Sequence, residues 1–207
     1  MIGGLPSRQF WLILGSIVLA AGTQINPLYP AQAPLQTIPT ILVLIAAFFA
    51  LRKWPLPTSA VACFCLFLAL HSIGARYIYS YVPYDAWVNA IGLPGLSEIF
   101  GWERNHYDRL VHFAFGALLV HPFAQMLEHQ FGVTPKRALY VAAEFIIAAS
   151  ALYEVFEWML TLALASAEAD AYNGQQGDIW DAQKDMALAS LGAIIAAFGE
   201  YFWRKRA

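Results

Sequence analysis

Three aspartates, Asp178, Asp181 and Asp185, stand at spacings of three and four residues at the head of an apolar stretch that runs through Gly199. If Asp178 caps a helix there, or lies in its first turn, all three carboxylates share one face. Two more pairs have helical spacing: Asp108 with His112 at i, i+4, and Glu154 with Glu157 at i, i+3. A carboxylate-rich group with one or two histidines is what a divalent cation would satisfy. Oxygen ligands with limited imidazole favour Mg, Mn or Ca, with Zn or Fe also within the chemistry. Such an ion polarises a phosphoryl or acyl centre and activates water. The candidate ligands or bases are Asp108, His112, Glu154, Asp181 and Asp185, and Glu157 joins them as a candidate catalytic acid. Arg76 or Arg109 would hold an anionic headgroup.

These residues need elements to carry them, and composition says which. The 207-residue chain is 59% hydrophobic and only 13% charged, about half the ~25% charged fraction of soluble domains. Its mean hydropathy is +0.53. A soluble fold with so little charge would aggregate, so the expectation is an all-α membrane protein with a single transmembrane domain. A net charge of -2 offers no footprint for nucleic acid; membrane lipids are the expected partners, and protein partners are not specified. Cys63 and Cys65, two apart, point to different helix faces and read as buried thiols, not a disulfide. The N-terminal apolar run lacks a small-residue cleavage site and reads as a retained first span.

Six apolar segments are each about long enough to cross a ~30 Å core: residues 8–25, 35–51, 57–81, 108–130, 138–165 and 181–203. Connections are short except 82–107 and 166–177. With a cytoplasmic N-terminus the inner face holds eight cations: Arg8, Arg52, Lys53, Lys136, Arg137, Arg204, Lys205 and Arg206. The outer face holds four: Arg76, Arg104, Arg109 and Lys184. The bias puts both termini inside. Arg76, the Asp108–His112 pair, the Glu154–Glu157 pair and the three aspartates then arrive from four spans at one depth, on the periplasmic side. Ala189, Gly192, Ala196 and Gly199 continue the aspartate face and mark it as the side that packs on other helices.

Plainer readings stand beside this one. Asp178 and Asp108 each suit a helix N-cap. Asp108 with Arg109, and Asp185 with Lys184, suit ion pairs at water level. His71 suits a polar core residue bonded across helices. Trp102, Tyr107, Trp158, Trp180, Trp203 and the aromatic run 77–81 suit interfacial belts. His106, His121 and His129 carry no signal, and Glu144 and Glu200 fall in inner halves.

The stretches from Asn105 to Phe113, Tyr153 to Trp158 and Gly177 to Met186 resemble the YjdF-type family of bacterial inner-membrane proteins along nearly the whole chain. More distantly they are similar to VanZ-like membrane proteins. In those, an Asp-Lys/Arg-x-x-His-Phe motif opens one span, a Glu-bearing motif sits in the next and an Asp opens the last. Asp108, Arg109, His112, Phe113, Glu154 and Asp181 fall on that pattern, while Glu157, Asp178 and Asp185 are extra acids. The resemblance implies inner-membrane location and topology, not a reaction. Three functions stay open: a metal-dependent hydrolase or transferase on a lipid or envelope-linked substrate, a proton- or cation-coupled transporter, and a non-enzymatic scaffold. A transporter needs acids continuing through the membrane; a scaffold needs the acids bonded to other helices.

Overall fold

The computed structural model describes residues 1–163 and 176–206, and among these the regular structure is helical. The helices are α1 (Ser7–Gly22), α2 (Ala33–Lys53), α3 (Thr58–Tyr77), α4 (Tyr84–Ala90), α5 (Leu96–Phe100), α6 (Tyr107–Phe131), α7 (Pro135–Ala163) and α8 (Asp181–Arg204). Five of them, α2, α3, α6, α7 and α8, are long and apolar enough to cross a membrane. α1 is the exception. Its 16 residues rise only about 24 Å, because the expected span 8–25 ends in turns: Gln24 and Ile25 donate to the Ala21 and Gly22 carbonyls. The long connection 82–107 carries α4 and α5, which periodicity did not foretell. Most of the 166–177 connection, and the last residues of the fifth expected span, lie outside the described residues.

Two three-helix halves make the bundle. α1, α2 and α3 pack together, α6, α7 and α8 pack together, and α3 against α6 joins them. The first half closes on Leu5, Ile13, Leu44, Leu51, Val61, Cys65 and Leu68. The second closes on Val120, Ala124, Ala138, Ala142, Ile146 and Ala193, an apolar layer between α6, α7 and α8.

The α6–α8 contact depends on two glycines. A Cβ on Gly116 would lie 2.0 Å from the Ala189 carbonyl oxygen, and one on Gly192 would lie 2.3 Å from that of Phe113. Only backbone fits at this crossing, as expected of small residues between membrane helices. Ala189 and Ala193 are fully buried there. Gly199 is not part of it: nothing approaches its Cβ position within 4 Å, so the expected close-packed face ends before it.

At the C-terminal end of α8, Arg204 donates to both carboxylate oxygens of Glu128 (2.8 and 2.9 Å) and pairs with Glu200. Glu200 also meets His121 Nδ1 at 2.9 Å, whose Nε2 lies 2.9 Å from Ser59 Oγ on α3. Of these contacts only Glu200–Arg204 lies within one helix, at i, i+4. Arg204→Ala strands two carboxylates of two helices, and hydrogen bonds to charged groups contribute about 1.5–3 kcal/mol. The variant is expected to lose stability in that range by denaturant titration in detergent, with Arg204→Lys recovering only part because it lacks the fork.

Candidate functional site

The glycine crossing explains the site above it. On α6, Gly116 lies one turn below His112 and two below Asp108. On α8, Ala189 lies one turn below Asp185. With backbones touching at Gly116 and Ala189, the side chains a turn higher must meet. Asp108, His112 and Asp185 do: each offers a ligand atom, and these atoms lie within 4.8 Å of one another. Glu154 arrives from α7, its Oε1 3.6 Å from His112 Nε2, the same distance as Asp108 Oδ1. All four are buried, Asp185 to 2% exposure. Among the described residues, Asp185 Oδ1 and Glu154 Oε1 are buried without a hydrogen-bond partner. A buried unpaired polar oxygen costs several kcal/mol, a cost that a proton, a water molecule or a cation at these two oxygens would offset.

A chamber of about 270 Å³ opens beside the group. Its polar wall carries Asp108, His112, Glu157, Ser150 and Tyr153, and α3 contributes His71. Glu157 is therefore a wall of the chamber, one turn from the cluster and not inside it. His71 joins the chamber as well: its Nδ1 meets the Tyr79 hydroxyl in the loop that follows its own helix, and the ring also bonds the backbone of Gln36 on α2, so it does bond across helices. That loop turns through left-handed backbone at Ile78 and Tyr79 and lays the Tyr79 ring on Gly74, where a Cβ would sit 2.5 Å from it.

Asp181 is placed differently from its expected role. Its carboxylate accepts from Arg104 Nη1 at 2.6 Å and lies 3.7 Å from Arg109, so it faces cations and not the imidazole. Asp178 is no helix cap. The helix starts at Asp181, and Asp178 Oδ1 accepts from the Trp180 N–H in a tight turn. Its other oxygen gathers Lys184 at 2.6 Å, Arg109 at 2.5 Å and Arg104 at 3.4 Å. Lys184 therefore pairs with Asp178 and not with Asp185. Asp108 is no cap either, lying inside the first turn of α6.

Arg104, Arg109, Asp178, Asp181 and Lys184 thus form an ionic cover over the end of the cluster next to the N-termini of α6 and α8. The Lys184 ammonium, then the Trp180 N–H, hold the Asp178 carboxyl down at about 2 from its ordinary 3.8. A depressed carboxyl stabilises the fold above its unfolded value and loses that contribution as pH falls through the folded one. The difference in Tm between wild type and Asp178→Asn is therefore expected to be constant at neutral pH and to shrink from about pH 4 towards pH 2. Exposure of Lys184 makes the effect small and salt-sensitive. Nearby, burial and then the Arg109 and Arg104 charges push the His106 pKa down. Neutral His106 accepts from Arg109 through Nδ1 at 3.3 Å.

Arg76 stays away from the cluster. It donates to the Thr23 and Ile25 carbonyls and closes the turn after α1. Arg109 has its fork engaged by Asp178 and His106. Neither cation points into the chamber as a headgroup ligand would. Sequence reasoning passed over Arg104 and Asn105, which stand before the helix and outside its periodicity. Asn105 exchanges two hydrogen bonds with the Gln176 side chain and donates to the Val82 carbonyl, tying the approach to α6 to that of α8. Tyr107 and Tyr79 are buried and not belt residues; the Tyr107 hydroxyl donates to the Leu70 carbonyl. Trp158, Trp180 and Trp203 are exposed, as belt positions require.

The fold and the buried acid–imidazole group define an all-helical membrane protein with a polar site inside its bundle. The chain belongs to the family described as predicted membrane protein DUF2238, which it matches over residues 8–206. It is 30% identical over 161 residues to the inner membrane protein YjdF of Escherichia coli strain K12, covering 77% of this chain and 73% of that one. No solved structure matches it.

Proposed function

We propose that the chain is a six-span protein of the bacterial inner membrane with both termini in the cytoplasm. On its periplasmic side, Asp108, His112 and Asp185 bind one divalent cation, which serves hydrolysis or transfer at a phosphoryl or acyl centre of a lipid or envelope-linked substrate. The eight-to-four split of cations supports the orientation. The inner-membrane relative supports the location. α1 completes the count of six as a short span, which the bilayer accommodates by local thinning.

The observation that carries the metal reading is Asp185 Oδ1, buried and unpartnered beside the Asp108 carboxylate and the His112 ring. Three ligands from two helices leave coordination positions for water and substrate, as catalytic sites require. Carboxylates with one imidazole suit Mn, Mg or Zn, and Ca if further oxygens are recruited. Glu154 Oε1, the second unpartnered oxygen, is placed as general base, and Glu157 on the chamber wall faces the substrate side. Asp181 serves at one remove, by holding the cover.

The rival readings meet specific obstacles. A through-membrane proton path has to cross the apolar layer of Val120, Ala124 and Ala193, each fully buried, between the outer cluster and the inner Glu128–Arg204–Glu200 network. A scaffold in which the acids bond helices leaves Asp185 Oδ1 and Glu154 Oε1 without such a bond. Elemental analysis of the purified protein tests the proposal: one divalent metal per chain is expected, lost in His112→Ala and in Asp185→Ala. A metal-free wild type after purification without chelator, and no uptake on dialysis against Mn or Zn, would sink it.

A further inference from the structure

A seam runs down the bundle from the chamber. α3 and α7 both pack on α6 and not on each other, so α6 floors an opening between the two halves. At its outer end lies the chamber of about 270 Å³ with its polar wall. Towards the inner end lies a second cavity of about 830 Å³, lined by apolar side chains such as Phe64, Leu119, Phe123 and Met126. Phe115 and Ala149 line both. The two cavities are neighbours along the seam, and Phe115 and Ala149 stand at the waist where they adjoin.

Polarity along this seam is one-sided. Carboxylates and imidazoles stand at the outer end, and the inner cavity is apolar apart from Gln130 and Trp54 at its far end. A larger volume falls in the ~300–1,000 Å³ range of ligand pockets, yet this lining offers a polar ligand almost nothing to bond. Length narrows the choice further. From His112 to Phe131 along α6 is about 28 Å at ~1.5 Å per residue, close to the ~30 Å of a whole hydrocarbon core and beyond a single leaflet. A polar end fixed at one mouth, followed by a long apolar trough, is the complement of an amphiphile.

We propose that the seam between α3 and α7 holds the hydrocarbon chain of a lipid substrate whose head, a phosphate or an acyl ester, lies in the chamber against Asp108 and His112. The placement of the head rests on the metal reading; the placement of the chain rests on the seam alone. Phospholipid acyl chains and longer polyprenyl chains share this chemistry, and the length of the trough favours the longer.

The test uses the full chain in phosphatidylethanolamine–phosphatidylglycerol vesicles doped with a phosphatidylglycerol carrying a diazirine in mid-chain. After irradiation, adducts are mapped by mass spectrometry. Several-fold enrichment at Phe64, Leu119 and Met126 over Ile195 and Phe198, which are exposed on α8, is expected. Ala149→Phe narrows the waist and is expected to reduce the seam adducts several-fold while those at Ile195 stay constant. Competition by polyprenyl phosphate more than by unlabelled phosphatidylglycerol assigns the longer chain; the reverse order assigns the acyl chain. Labelling that is uniform over the lipid-facing surface, or seam labelling indifferent to Ala149→Phe, overturns the proposal. Metal content of the same samples separates the two readings. Seam labelling without metal refutes only the metal site, and metal with uniform labelling refutes only the seam.

Discussion

Gly116→Leu is expected to drive α6 off α8 and to dismantle the site with it. Overpacking typically costs about 1–3 kcal/mol when neighbouring side chains can yield. Here the obstacles are backbone atoms, the Ala189 carbonyl at 2.0 Å and the Ala193 nitrogen at 2.6 Å. The loss should therefore exceed about 3 kcal/mol, the upper end of that range. Gly192→Leu meets the Phe113 carbonyl from the other side and is expected to behave alike. Gly199→Leu is the control: with nothing near it, it gains up to about 1 kcal/mol of helix propensity. Thermal unfolding of the three variants in one detergent, with metal content alongside, checks the order. If Gly116→Leu unfolds with the wild type, the crossing described here does not position the cluster.

The second large effect is a change of sign at Asp185. Asparagine keeps the shape and removes one acid from a buried group that already holds Asp108 and Glu154. Like-charge crowding falls, so metal-free Asp185→Asn is expected to be at least as stable as metal-free wild type. With metal the order reverses. A cation at a hundred times its Kd stabilises the folded wild type by about 2.7 kcal/mol, and the variant, short of a ligand, gains little of this. Unfolding curves of both proteins with EDTA and with Mn²⁺ measure the crossing. Curves that shift equally in both proteins would remove Asp185 from the metal's ligands.

Sequence pattern reached the helices more readily than the partnerships at the site. Apolar runs interrupted by Pro, Gly and basic pairs are enough to place α2, α3, α6, α7 and α8 within a few residues, because a membrane helix must be both long and continuous. The pairing of Asp108 with His112 follows from helical period alone. What periodicity could not reach were choices made between helices. Asp181 and Asp185 sit on one face, yet Arg104, from a loop with no period to read, takes Asp181 and leaves Asp185 to His112. Arg76 is spent on carbonyls of the turn after α1. Asp178, the weakest of the three aspartates as a ligand, turns out to anchor three cations at the surface. α1 looked like a full span because hydropathy counts the apolar residues of a turn together with those of a helix.

Manganese is the most direct probe of the central claim, since its electron spin reports a bonded imidazole nitrogen. The purified chain is loaded with Mn²⁺, washed, and examined by electron spin-echo spectroscopy beside His112→Ala and Arg76→Ala. One Mn²⁺ per chain with coupling to a single imidazole nitrogen is expected, unchanged in Arg76→Ala and absent in His112→Ala. Manganese that binds with no nitrogen coupling, or a coupling that survives His112→Ala, would contradict it.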